Sequence, residues 1–294
     1  MTDGFAWIPA QSAVVGSDAH YPEEALAREV TVDGFWMQTH QVTNADFAEF
    51  VSAAGYVTVA ERPLDPDDYP GAPPQNLQPG SMVFHRTAGP VDLRHLSQWW
   101  TWTPGACWRH PLGPKSSIDQ RADHPVVHIA YEDAESYAAW AGLELPTEAE
   151  WETAARGGLE GAAFTWGDEP EQPGQSLANY WHGDFPWRPE RGYGRTTPVG
   201  SFPPNAYGLY DMAGNVWEWT ADWYAGTRAT GPCCAADSYD PNQPQFKVAR
   251  RVVKGGSFLC ADSYCLRYRP AAKRPQPVDT GMSHIGFRCL KREA

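Results

Sequence analysis

The chain lacks any apolar run long enough to cross a bilayer as a helix. Nothing in its 294 residues approaches about 18 consecutive apolar positions. Its N-terminus, MTDGFAWIPA, has no basic stretch followed by an apolar core, so no secretory signal is expected and a cytoplasmic address follows. Positive charge is in short supply: 23 Lys and Arg face 36 Asp and Glu, a net charge of −13. Such a surface repels nucleic acids and anionic membranes, and neither is expected as a partner. There is no low-complexity tract or short-period repeat. The G-x-S-x-G elbow, the P-loop, G-x-G-x-x-G after a strand and H-E-x-x-H are all missing. Structural disulfides are uncommon in the cytoplasm, so Cys107, Cys233, Cys234, Cys260, Cys265 and Cys289 call for another explanation.

What is abundant is aromatic residues, glycine and proline. Aromatics make up 13% of the chain, with 14 Trp, alongside 27 Gly and 27 Pro. Disordered chains are poor in aromatics, so the Gly and Pro must punctuate a folded, loop-rich domain. Residues 5–42 alternate like strands and turns. Thr43 reads as the N-cap of a helix that sets Phe47, Phe50, Val51 and Ala54 on one face and stops at Gly55. Residues 56–123, rich in Pro, Gly and Asp, read as a long ordered loop around Trp99, Trp100, Trp102 and Trp108. His124 to Ile129 reads as a strand, and Glu132 to Ala141 as a helix ended by Gly142. Thr147 and Glu150 form a T-x-x-E capping box after Pro146. The helix they open turns Trp151, Ala154 and Ala155 inward and stops at Gly157. No linker interrupts the chain. A single α+β domain over residues 1–294, irregular and poor in regular elements, is expected.

The chemistry centres on GGSFLCADSYCLRYRP, residues 255–270. Cys260 and Cys265 are five apart. On a strand they would face opposite ways; on a helix about 500° of rotation leaves them some 140° apart. They meet only if Ala-Asp-Ser-Tyr bends between them. Gly255 and Gly256 permit unusual backbone upstream. Arg267, Arg269 and Arg288 offer positive charge that favours thiolates. Three readings stay open: unrelated buried thiols, a redox disulfide, or a two-thiolate site for a soft ion such as Cu(I). Structural zinc wants four ligands, and no second pair accompanies these two.

Elsewhere, YGLYDMAGNVWEWTADW (207–223) could ring a hard cation with Asp211, Glu218 and carbonyls near Gly214 and Val216; a turn feeding a strand with Trp217 and Trp219 in the core is the plain structural alternative. His124 and His128 would share a strand face but have no third ligand, and read as structural. Cys233-Cys234 and Cys107 read as incidental.

These segments together resemble the formylglycine-generating enzymes, the sulfatase-modifying-factor family. The resemblance runs through IPAQSAVVGSD, QVTNADFAEFV, HPVVHIAYEDA, LPTEAEWETAARGG, FPPNAYGLYDMAGNVWEWTADW, GGSFLCADSYCLRYR and GFRC, in order and over nearly the whole chain. It implies a C-type-lectin-like variant fold and a monomer. The implied reaction is oxidation by O₂ of the cysteine in a C-x-P-x-R motif of an unfolded sulfatase segment to Cα-formylglycine. Cys260 and Cys265 would hold Cu(I), with the substrate thiolate as third ligand. Loss of a Cβ hydrogen would give a thioaldehyde that hydrolyses. Trp217, Ser257 and Tyr264 would stand at the oxygen and substrate pocket, and His284 and Arg267 would contact substrate. Asp211, Gly214, Val216 and Glu218 would hold calcium; Asn179 and Tyr180 would contribute to a second calcium site.

This sequence departs from the family's pattern in places. Arg191 stands where that second site needs an acid, with Glu190 adjacent, and His284 replaces an Asn usual in some members. Ala138, Ala155 and Pro270 replace cysteines of secreted relatives, leaving Cys289 unpaired. The chemistry itself asks for a metal, because a cysteine C–H bond has no acidic proton for a side chain to remove.

Overall fold

The computed structural model describes residues 4–67, 69–224, 235–243 and 247–293. The chain opens with β1 (Phe5–Ile8), β2 (Gln11–Val15), β3 (Arg28–Val32) and β4 (Phe35–Gln38), followed by helix α1 (Asn44–Ala54). Strands β5 (Gly80–Phe84) and β6 (Trp100–Pro104) precede helices α2 (Tyr131–Ala141) and α3 (Glu148–Arg156). Two short strands come next, β7 (Gly183–Asp184) and β8 (Arg188–Pro189), then β9 (Trp217–Trp223) and β10 (Arg250–Lys254). The chain ends with β11 (Lys273–Pro277), β12 (Ile285–Gly286) and β13 (Leu290–Arg292). Pairing is in small groups: β1-β4-β13, β11-β10-β9-β12, and the hairpins β2-β3, β5-β6 and β7-β8. Within the second sheet β12 runs parallel to β9, while the other pairs are antiparallel. The result is an irregular α+β architecture in which both chain ends pair with β4.

The helices begin where local chemistry places them. Thr43 Oγ1 accepts from Asp46 N at 3.2 Å while Asp46 accepts from Thr43 N at 2.9 Å. Thr147 and Glu150 repeat the exchange at 3.2 and 2.8 Å. Each satisfies otherwise orphaned N–H groups. Helix α2 starts at Tyr131, with Asp133 accepting from Ala130 N. Gly55, Gly142 and Gly157 end the three helices in left-handed conformation.

Two sequence expectations fail. His124–Ile129 is not a strand. Pro125 makes one isolated bridge to Thr43, and His128 takes φ 63, which breaks any extended run. His128 is fully buried, its ring nitrogens 2.8 Å from Ser81 Oγ and 2.9 Å from the Pro111 carbonyl, and burial pushes its pKa down to about 4. It is a core histidine. Residues 56–123 are not simply loop either, because the β5-β6 hairpin lies within them.

The core is largely aromatic. Phe47 contacts Phe50, Trp108, Tyr137 and Phe287, with ring centroids 5.3–6.4 Å apart. Such pairs add roughly 0.5–1.5 kcal/mol each beyond area burial. Buried charge is paired: Glu152 bridges Arg156 at 2.7 Å and Lys254 at 2.9 Å, tying α3 to β10.

Candidate active site

Strand β10 delivers the chain to Gly255 (φ 90) and Gly256 (φ 74). A Cβ on Gly256 would lie 2.7 Å from the Arg267 carbonyl and 2.8 Å from Tyr268 Cα, so only glycine lets the two segments approach. Ser257 follows, its carbonyl accepting from Cys260 N at 2.9 Å. The Ala261 carbonyl then accepts from Tyr264 N at 2.8 Å and Cys265 N at 2.6 Å. This closed turn is the bend that five-residue spacing requires, and it brings the two thiols into side-chain hydrogen-bond contact. Both are unlinked and buried.

The thiols line a cavity of about 280 Å³. Trp217, Ser257, Tyr264 and His284 line it too, so five expected catalytic residues and one expected substrate contact share one space. Trp217 heads β9 and forms apolar wall. Tyr264 stacks on Phe185 at 4.8 Å and is 36% exposed, which puts it at the mouth. His284 packs edge-on to Trp100 at 4.7 Å, and its Nδ1 is buried without a partner. Burial, then Arg274, drives its pKa well below the ordinary value, so the ring is neutral.

The two thiols titrate together. The hydrogen bond from Cys260 holds Cys265 below an ordinary thiol, aided by the charges of Arg274 and Arg267. Burial, and then the hydrogen bond to Cys265, push Cys260 up. One thiolate, on Cys265, is the state the surroundings favour.

The arginines are placed differently from the sequence expectation. Arg269 grips Glu24 through two hydrogen bonds of 2.9 and 2.5 Å, and Arg288 grips Glu218. Arg267 pairs with Glu23 at 2.5 Å and lies over Tyr21; its charge reaches Cys265 but it does not line the cavity. The cavity's guanidinium belongs to Arg274 of β11, 6.0 Å from the Trp217 ring. Sequence reasoning missed it, since nothing in KRPQP marks which face looks inward.

Around 211–218 the backbone turns left-handed at Asp211 (φ 55), Gly214 (φ 80) and Asn215 (φ 59). The Asp211 and Val216 carbonyls and Glu218 Oε1 converge on one point, filled by the Gln41 amide, which donates to them at 3.4, 3.2 and 2.9 Å. Asp211 Oδ1 is buried without a partner, and burial raises that carboxyl to about 6. The Gln41 amide occupies the position that a cation held by these oxygens would take, and the unpartnered Asp211 Oδ1 is the acceptor left over for such an ion. Glu218, however, is already committed: it also accepts from Trp151 Nε1 at 2.7 Å and from Arg288 at 2.7 and 2.9 Å. Among the described residues no three His, Cys, Asp or Glu side chains gather as a metal cluster.

At the second expected calcium site Asn179 Oδ1 is buried and unpartnered, and the Tyr180 ring stacks on Tyr268; Glu190 and Arg191 line the larger neighbouring cleft. Cys107 and Cys289 are buried away from the cavity, with pKa values raised by burial; Cys233 and Cys234 lie outside the described residues.

An unlinked thiol pair at the wall of an aromatic cavity, on this irregular α+β frame, defines a thiol-centred enzyme. The family described as the sulfatase-modifying factor enzyme 1-like domain matches residues 1–293. A formylglycine-generating enzyme of Mycobacterium tuberculosis is 55% identical over 293 residues, covering 96% of each chain. One from Thermomonospora curvata is 46% identical, covering 97% of this chain and 92% of its own. The solved structure of PvdO from Pseudomonas aeruginosa superposes with a TM-score of 0.64 over 98% of this chain and 94% of its own, and at 22% identity it shows the fold alone. The chain belongs to the sulfatase-modifying factor family, the formylglycine-generating enzymes.

Proposed function

We propose that this chain, an oxidoreductase, uses O₂ to convert the cysteine of a C-x-P-x-R motif in an unfolded sulfatase segment to Cα-formylglycine, with Cu(I) held by Cys260 and Cys265. The observation that carries this reading is the contact of two unlinked thiols in one aromatic cavity. Bound there, copper would supply affinity for the substrate thiolate and reactivity toward oxygen.

The residues of the chain do the rest. The 261–265 turn fixes the sulfur separation before any ligand arrives, so little is spent on ordering them. Trp217, Trp99, Trp100 and Phe185 exclude water from the reacting sulfur. Ser257 Oγ accepts weakly from Leu259 N at 3.3 Å, leaving its proton to donate into the cavity. Neutral His284 offers a buried, unpartnered Nδ1 to a substrate N–H. Tyr264 at the mouth meets the incoming chain. Arg274 holds positive charge near the thiolates; Arg267, occupied by Glu23, acts through charge alone. Electron balance sets one further requirement. Converting CH₂SH to a thioaldehyde releases two electrons and O₂ accepts four, so a thiol reductant must supply two. Hydrolysis of the thioaldehyde gives aldehyde and hydrogen sulfide.

The reading extends to calcium at Asp211, Gly214, Val216 and Glu218, to the family's C-type-lectin-like variant as one domain, and to a cytoplasmic monomer. Buried, unlinked cysteines support the reducing address.

The test is a C-x-P-x-R peptide incubated with protein, Cu(I), thiol reductant and air, followed by mass spectrometry with an aldehyde-reactive probe. Conversion is expected, with Cys260→Ser and Cys265→Ser each abolishing both turnover and copper stoichiometry while melting like the parent. Peptide binding without conversion would instead favour a non-catalytic binding module. Turnover without bound copper would favour a dithiol relay.

A further inference from the structure

A larger cleft, of about 710 Å³, lies beside the thiol cavity. It is lined by Arg86, Arg121, Arg191 and Arg195, with His124 and one carboxylate, Glu190. The concentration is unexpected in a chain of net charge −13. Buried arginines elsewhere are neutralised, as in Arg156–Glu152, Arg269–Glu24 and Arg288–Glu218. Among the described residues none of the four cleft arginines has a carboxylate partner. Four guanidiniums left unpaired around one concavity create a local positive field against an acidic background. The His124 pKa lies below the ordinary value: burial comes first, then Arg121 and, less strongly, Arg195, with neighbouring Asp123 opposing them.

The position of the cleft is as informative as its charge. Phe258 and Ser283 line it, while their chain neighbours Ser257, Leu259, Met282 and His284 line the thiol cavity. The two spaces therefore share a wall one chain thick, with sequential residues facing opposite sides. The arginines come from three separate segments, and Arg86, Arg191 and Arg195 are exposed. The volume falls within the roughly 300–1,000 Å³ of ligand sites. Charges distributed along an open cleft suit a run of carboxylates better than one compact anion.

We propose that this cleft docks an acidic stretch of the polypeptide substrate, flanking the cysteine held in the neighbouring thiol cavity. The choice of occupant rests on the proposed function; the positive cleft does not. Docking of this kind would select substrates by residues outside the reactive motif and would weaken with salt.

The test uses the full chain and fluorescent C-x-P-x-R peptides whose cysteine is replaced by serine, so that neither copper nor turnover is needed. Peptides carry no extension, an acidic tetrapeptide or a basic tetrapeptide, placed on either side. Anisotropy should show the acidic extension, on one side, tightening binding by about fivefold to tenfold at low salt. The gain should fall with added salt and vanish in the combined Arg86→Gln, Arg191→Gln and Arg195→Gln variant, whose affinity for the unextended peptide is unchanged. Equal affinity for acidic and basic extensions on both sides overturns the proposal. So does competition in which inorganic phosphate binds with the same arginine dependence while extensions have no effect, since that describes a small-anion site. If extended peptides bind as stated but the cysteine forms are never converted, docking stands and the proposed oxidation fails; the two ideas are thereby separated.

Discussion

Glu218 is the clearest place to perturb the scaffold beneath the site. Its carboxylate is fully buried, and its acceptor positions are filled: Oε1 by Gln41 and Arg288 at 2.9 Å each, Oε2 by Trp151 and Arg288 at 2.7 Å each. Glu218→Gln keeps the volume, removes the charge and turns one acceptor into a donor facing other donors. Arg288 is then a buried cation without its counter-charge. Breaking a buried pair from one side costs about 3–5 kcal/mol, which for a chain of this size lowers Tm by about 5–8 °C. Removing the stranded cation as well, with Glu218→Gln and Arg288→Met together, should recover part of the loss. The double variant should be less destabilised than the sum of the singles by at least about 1 kcal/mol. The assay is thermal and urea unfolding in excess chelator. A Glu218→Gln protein melting within about 2 °C of the parent would refute the argument. A loss seen only when calcium is supplied would show that Glu218 acts through the cation rather than through Arg288.

Two further outcomes are expected. With copper-free, reduced protein, iodoacetamide should modify Cys265 with a midpoint below the ordinary thiol value of about 8.5; Cys260→Ala, which removes the hydrogen bond from its neighbour, should move that midpoint upward, and an unchanged profile contradicts the shared-proton account. Calcium added to chelator-treated protein should raise Tm in the parent at lower concentration than in Asp211→Asn, while a Tm indifferent to calcium in both removes the cation site.

The sequence reveals what local chemistry decides. Thr43 and Thr147 mark helix starts because N-capping is settled within four residues, and the thiol spacing demands a bend that the Ala261 carbonyl supplies. The 124–129 segment misleads because burial of Val126, Val127 and Ile129 looks the same in a strand and in a buried loop. Only the left-handed His128, held by Ser81 and Pro111, separates them. Hairpin β5-β6 is hidden by the Gly and Pro around it. Long-range pairing is the other blind spot. Arg269 meets Glu24 across 245 positions and Arg288 meets Glu218 across 70, so the sequence alone points both at thiols they do not serve. Gln41, 177 positions from Glu218, gives no local sign that it fills the expected cation position.

The fate of the cations follows a single logic. In an acidic chain a buried cation can find a carboxylate, and the buried ones do, most of them from a distant segment: Glu24 for Arg269, Glu218 for Arg288, Glu152 for Lys254. Those pairs tie the turn at residues 22–24, α3, β9 and β10 around the glycine turn that aims Ser257 and Cys260. Among the described residues several exposed cations also lack a carboxylate, Arg28, Lys115 and Lys291 among them, so an unpaired charge alone marks nothing. What sets the site region apart is convergence: Arg274 stands at the thiol cavity, and four more guanidiniums share the one cleft behind the same wall. Convergent unmatched charge, more than charge itself, is what the proposed docking of substrate rests on.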